Sequence, residues 1–232
     1  MIDSFSGFRP SAFTFLDALA ADNTKAFFDR ERHTYQREIA EPAKLLVGAL
    51  AEELPVRVHP RLRSEARVGR SLFRINRDTR FSADKTPYKT HIDFLFWAGD
   101  ADPRACPAAI MRITSTTLLL GAGRAGLRGA DLASYRASIV DPTRSRELRS
   151  IVDQLMATGA ELSEPSRVSV PRPHSSEHPN ADLLRRDGFH LTHTRAHPDA
   201  ITTAAFVDWC VHAFTPYSPL IDWLAVHPRL SP

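Results

Sequence analysis

From Tyr88 to Trp97 the chain alternates as a half-buried strand does. Thr90, Ile92, Phe94 and Phe96 fall on one face, and His91, Asp93, Leu95 and Trp97 on the other. Two β-prone runs follow, Ala109 to Thr114 and Thr116 to Gly121, and Ser71 to Asn76 precedes it with Phe73 and Ile75 set against Leu72, Arg74 and Asn76. A parallel pair needs a crossover of a dozen or more residues, usually helical. No connection between these runs reads as such a helix, so a mostly antiparallel sheet of about four to six strands is expected.

Helical periodicity brackets this region. Ala12, Phe13, Leu16, Leu19 and Ala20 share one face, with Ser11 placed as N-cap. A helix from Thr24 to about Ile39 would bury Phe27, Phe28, Tyr35 and Ile39 and leave Arg30, Glu31, Arg37 and Glu38 wet. A third begins at Pro42, carries Leu45, Leu46, Ala49, Leu50 and Leu54, and ends at Pro55. Gly121, Gly123, Gly126 and Gly129 read as a flexible turn bearing Arg124 and Arg128. Asp131 and Asp141 are the expected caps of two later helices, and Glu161 to Asn180 is an extended loop. Phe189 to Arg195 alternates as a strand, and Ile201 to Leu224 is helical around Pro216 and Pro219. The expected architecture is α+β in a single domain over 1–232: a helical part at 1–56, sheet and basic motif at 57–123, and a helical part at 124–232.

The chain has 232 residues with 43% hydrophobic and 25% charged, the composition of an ordinary globular domain. Cys106 and Cys210 form no disulfide framework, no signal-peptide pattern opens the chain, and no apolar run reaches a membrane span. A cytoplasmic protein with no membrane contact is expected; oligomeric state is not indicated.

Charge is unevenly spread. Arg57 to His91 holds ten Lys or Arg against three acids, in a chain whose net charge is only +3. Within it, Arg70, Arg74, Arg77, Arg80, Lys85 and Lys89 face only Asp78 and Asp84. A basic patch on a near-neutral body favours a discrete anion site. Arg offers bidentate contact to phosphate or carboxylate, and Lys a compact point charge. The residues expected to bind are Arg74, Asn76, Arg77, Arg80, Lys85, Tyr88 and Lys89. Asp78 and Asp84 are the weak candidates for catalytic carboxylates, as acid and base of a hydrolase or as holders of a magnesium ion on a phosphorylated substrate. The same charges could instead form an internal Arg/Asp ion-pair web.

No metal site or nucleotide cofactor motif is found. GAGRAG lacks the GK[ST] of a P-loop, no HExxH occurs, and His190 and His193, three apart on a strand, point to opposite faces. His178, in HPNADLL, reads as a helix cap or an exposed surface residue rather than a ligand. No G-x-S-x-G elbow supports a nucleophile.

FRINRDTRFSADKTPYKTH, from Phe73 to His91, resembles the signature of domain-of-unknown-function family 2461, a group of conserved hypothetical proteins. FSGFRPSAFTFLDALAADNTKAFFDRERHTY is similar to the family's opening, with Asp22-Asn23 and Phe27-Phe28 where members carry Asn-Asn and Trp-Phe. LLLGAG is similar to its glycine turn, and HPNADLLRRDGFH to its HP-x-x-x-LL stretch. After LLLGAG the chain departs, reading RAGLRGADL where members carry an aromatic and a Pro-Asp element. The resemblance covers nearly the whole chain and implies membership without implying a reaction.

Three functions are open at this level. The first is binding of a phosphate-bearing or other anionic small molecule, such as a nucleotide or sugar phosphate, through Arg70 to His91. The second is a nucleic-acid module in which Phe73, Phe81 and Tyr88 stack on bases. The third is a structural or partner-binding role. Whether the protein is an enzyme stays open.

Overall fold

A computed structural model describes residues 4–80 and 82–227. Helices α1 (Pro10–Ala21), α2 (Lys25–Arg30), α3 (Arg32–Tyr35) and α4 (Glu41–Arg57) open the chain, with a π-helical turn at Gln36–Ala40. Strands β1 (Leu62–Arg63), β2 (Ile92–Ala98), β3 (Ala108–Ile113) and β4 (Thr117–Ala125) follow. Helices α5 (Gly129–Val140) and α6 (Pro142–Ala157) lead to β5 (Glu161–Leu162), α7 (Ala181–Leu184) and β6 (Gly188–Ala196). Two helices, α8 (Phe206–Phe214) and α9 (Ser218–Val226), close the described chain. The strands form one sheet in the order β1-β2-β3-β4-β6-β5, and each paired neighbour is antiparallel. The expected α+β class with an antiparallel sheet is what the chain builds.

Alternation assigns the two faces. Ile92, Phe94 and Phe96 of β2, Met111 and Ile113 of β3 and Leu118 and Leu120 of β4 join one core with the helices. Helices α6, α8 and α9 lie against this sheet and α4 against β1. Burial of this apolar face supplies the main driving force for folding. The opposite face is only half covered. Across it run the rows Asp93–Arg112–Leu119 and Leu95–Ile110–Gly121, continued on β6 by Thr194 and Thr192.

Several local expectations are corrected. Ser11 does not cap α1, which already starts at Pro10; its hydroxyl donates to Glu38 Oε2 at 2.6 Å. Glu38 is buried rather than wet, because Ser11 and Arg37 both satisfy its carboxylate. The segment from Thr24 to Ile39 is broken at Glu31 into α2, α3 and the π turn. Pro55 does not end α4: its fixed φ suits the last turn, and Val58 N–H still donates to Leu54 O at 3.0 Å. Asp131 lies in the first turn of α5 after Arg128 and pairs with Arg124 instead of capping. Asp141 does cap α6, accepting from the Thr143 and Arg144 amides.

Ser71 to Asn76 is not a regular strand. Leu72 makes isolated bridges to Val68 and Phe94, and Asn76 one to Tyr88. Leu72 and Ile75 are both buried while Phe73 is half-buried, because the segment bends away after lying along the outer edge of β2. That edge is thereby covered against pairing with another chain. The strand expected from Tyr88 begins only at Ile92.

The glycine turn is also corrected. Gly121 and Gly123 lie within β4, where a Cβ would meet Leu191 O at 2.1 Å and Phe189 O at 2.2 Å of β6. These glycines permit close strand approach, and Arg124 is buried against Asp131 rather than carried on a flexible loop.

Candidate functional site

The basic motif is a long loop closed like a hairpin. Arg77 N–H donates to Pro87 O and Lys89 N–H to Ile75 O, both at 2.8 Å, around the Asn76–Tyr88 bridge. Its exit is tied to the helical layer. Asn23 Nδ2 donates to Tyr88 O at 2.9 Å, and Tyr88 N–H donates to Asn23 Oδ1 at 3.0 Å. The Tyr88 ring is buried and stacks on Phe28 at 4.3 Å between centroids. Tyr88 is therefore chiefly a packing residue whose edge reaches the cleft.

Most of the motif's cations have partners. Arg77 bonds Asp84 and Thr86. Arg80 grips Asp78 through Nε at 2.9 Å and Nη2 at 2.7 Å, and Lys85 donates to Thr79 O at 2.9 Å. Arg70 lies 3.6 Å from Glu65. Asp78 is held down to about 2 by the Arg80 side chain and amide, and Asp84 to about 2 by Arg77 and then Thr86. Both carboxylates are thus ionised at neutral pH and poor proton donors, which weakens the acid half of an acid–base pair.

Sequence reasoning missed the residue that anchors the site, Asp93. Its carboxylate accepts from Lys89 Nζ at 3.0 Å and Arg112 Nε at 2.7 Å, and His91 Nε2 lies 3.2 Å away in ion-pair range. Burial alone would raise its pKa, but His91, Arg112 and Lys89 together outweigh that and hold it well below the usual carboxylate range. The signal was present: Asp93 is an acid on the second face of an apolar strand, and the register sets Arg112 directly opposite.

A cleft of about 660 Å³ is lined by Arg77, Asp84, Lys89, His91, Asp93 and Arg112, among others. Asp78 is also on its wall, so its three carboxylates balance Arg77, Lys89 and Arg112. The expected surplus of positive charge is not here.

It lies next door. A recess of about 370 Å³ is lined by Arg74, Asn76, Asp78, Lys89, Phe73 and Arg104, with Val68 and Gly69. Arg74 and Arg104 are exposed, and among the described residues neither guanidinium has a hydrogen bond or an ion pair. Arg104 sits 5.9 Å and Lys89 5.0 Å from the centre of the Phe73 ring. Of the expected binding residues, Arg74, Asn76 and Lys89 meet here, Arg77 and Tyr88 face the balanced cleft, and Arg80 and Lys85 are engaged within the loop. Phe81 lies outside the described residues. Arg104, from the 3-10 turn Pro103–Ala105, was not anticipated.

Elsewhere, His190 lies on the half-covered face opposite Gly123 while His193 faces the other way, opposite Leu120. His178 Nδ1 accepts from the Asn180 amide beside α7. Both cysteines are buried thiols. No helix among the described residues is long and apolar enough to cross a membrane.

Fold and site together define an α+β protein with one antiparallel sheet, helices on one face and a basic hairpin loop on its edge. The family described as conserved hypothetical protein (DUF2461) matches residues 11–223, and the chain belongs to it. No curated protein and no solved structure matches the chain.

Proposed function

We propose that this protein binds a small phosphate-bearing or otherwise anionic molecule, a nucleotide or sugar phosphate by class, in the recess formed by Arg74, Lys89 and Arg104. One observation carries the reading: Arg74 and Arg104 come from separate segments and line one recess, and among the described residues neither guanidinium makes a salt bridge or a hydrogen bond, Asp78 acting on Arg74 only through space while it is held by Arg80. An anion between them would accept charge-assisted hydrogen bonds from two guanidinium forks. Lys89, shared with Asp93, would add a third positive charge. Asp78 borders the recess but is occupied by Arg80 and ionised, so the reading is one of binding.

A second reading has its own support. Arg70, Arg77, Arg80, Lys85 and Lys89 each reach an acid or a carbonyl, as they would in a web that only pins the loop to the sheet.

Calorimetric titration of a nucleoside monophosphate, and of a single-stranded oligonucleotide, at low and high salt separates these. The proposal predicts saturable mononucleotide binding with a shallow salt dependence. Preference for the oligonucleotide with a steep salt slope would instead support nucleic-acid binding. Binding of neither would leave the structural web.

A further inference from the structure

Beside the basic recess, the half-covered face of the sheet forms a shallow trough of about 400 Å³. Leu95 of β2, Ile110 of β3 and Leu119 of β4 make its floor, and Ser163, His190 and Thr192 close its far side. Phe73 lines both trough and recess, so the two are one continuous surface turning at a single aromatic ring. We infer that the ligand is an amphipathic anion, with its charged head between Arg74 and Arg104 and an apolar body lying across Leu95, Ile110 and Leu119. This rests on the anion-binding reading and adds to it the chemistry of the rest of the ligand.

Charge along the surface gives the polarity. Among the described residues lining the two, the guanidinium groups with no ion pair or hydrogen bond, Arg74 and Arg104, lie at the recess end. Where the trough borders the larger cleft, Arg112 is already given to Asp93 at 2.7 Å. At the far side, Ser163 Oγ accepts from the His190 amide at 3.1 Å. Burial depresses the His190 imidazole, keeping it neutral near pH 7. A second anionic group would therefore meet only Arg112, whose charge is already shared with Asp93, whereas a hydrocarbon or aromatic body would cover half-buried leucine and isoleucine.

Size points to a small molecule rather than a protein surface. From β2 to β6 the trough crosses three strand spacings, roughly 14 Å. That accommodates a medium-length acyl chain or a fused aromatic system. Its volume lies in the range of small-molecule sites, which are typically apolar with a few placed polar groups.

The test uses two probes on the intact chain, inorganic phosphate and octyl phosphate below its micelle concentration, read by calorimetry. Octyl phosphate should bind about 30-fold more tightly than phosphate, the gain expected when part of an alkyl chain leaves water. Leu119→Asn should remove most of that gain and leave phosphate binding unchanged, and Ile110→Thr, a milder β-branched change, should do the same to a smaller degree. Arg74→Ala with Arg104→Ala should weaken both probes. Equal affinity for the two probes overturns the trough inference and leaves anion binding standing. Octyl phosphate binding that ignores the double arginine variant overturns the anion reading itself. A dimer in sedimentation that Leu119→Asn abolishes would show the trough to be an interface between copies and overturn the inference.

Discussion

Asn23 and Tyr88 exchange two hydrogen bonds, the Asn23 amide using its nitrogen on Tyr88 O and its oxygen on Tyr88 N–H. The side chain thus replaces one rung of a β-ladder and joins the basic motif to the turn between α1 and α2. A primary amide can both donate and accept across one backbone residue in this way, which a carboxylate cannot.

Asn23→Ala should therefore destabilise the protein by about 2 kcal/mol, because it strands a part-buried N–H and C=O. Asn23→Asp should not rescue it, since a carboxylate would accept from the N–H but oppose the carbonyl oxygen. Urea unfolding of the three proteins measures this. Equal midpoints would mean that water replaces the amide at no cost.

Asp93 is the next point of leverage. Asp93→Asn leaves Lys89, His91 and Arg112 without their shared carboxylate and should cost roughly 3 kcal/mol. The folded pKa of Asp93 is depressed, so its contribution is present above its unfolded value of about 3.9 and is lost as pH falls through the folded value. Acid titration of stability should show that loss in the parent and less of it in Asp93→Asn. The variant should also bind phosphate more tightly, because Lys89, which lines the recess, is released from Asp93.

Gly123→Ala should destabilise by more than about 2 kcal/mol, since the new methyl would lie 2.2 Å from Phe189 O and strands β4 and β6 would have to part. A variant that unfolds at the parent's midpoint would show that the strands part freely.

His190 should titrate below its ordinary value of about 6.5 in an NMR pH series. A histidine whose folded pKa is lowered stabilises the fold in its neutral form, so this contribution is lost as pH falls through 6.5 toward the folded value. Titration at or above 6.5 would mean that the ring is solvated rather than part of a dry trough.

Where one face of an element is wholly apolar, its placement could be read directly. The face of β2 carrying Ile92, Phe94 and Phe96 and the Asp141 cap of α6 both follow from local pattern. Residues 71–76 alternate too, but isolated bridges do not make a strand, and nothing local encodes the bend that separates Phe73 from Ile75. Gly121 and Gly123 look like a loop because the cause of their smallness, the carbonyls of β6, is some seventy residues away. The basic motif was legible as a charge surplus. Which cations stay open was not, because that depends on Asp93 and Arg112 across the sheet and on Arg104 from a separate turn.

The central claim is that the motif divides into a closed ion-pair loop and an open pair of arginines, Arg74 and Arg104. The most direct measurement is the thermal unfolding midpoint of Arg74→Ala/Arg104→Ala, with and without a millimolar nucleoside monophosphate. Without ligand, the midpoint should stay within about 2 °C of the parent, because two exposed side chains that make no salt bridge or hydrogen bond among the described residues are removed. The ligand should raise the parent's midpoint and leave the variant's unmoved. A large fall without ligand, or an undiminished rise with it, would contradict the claim.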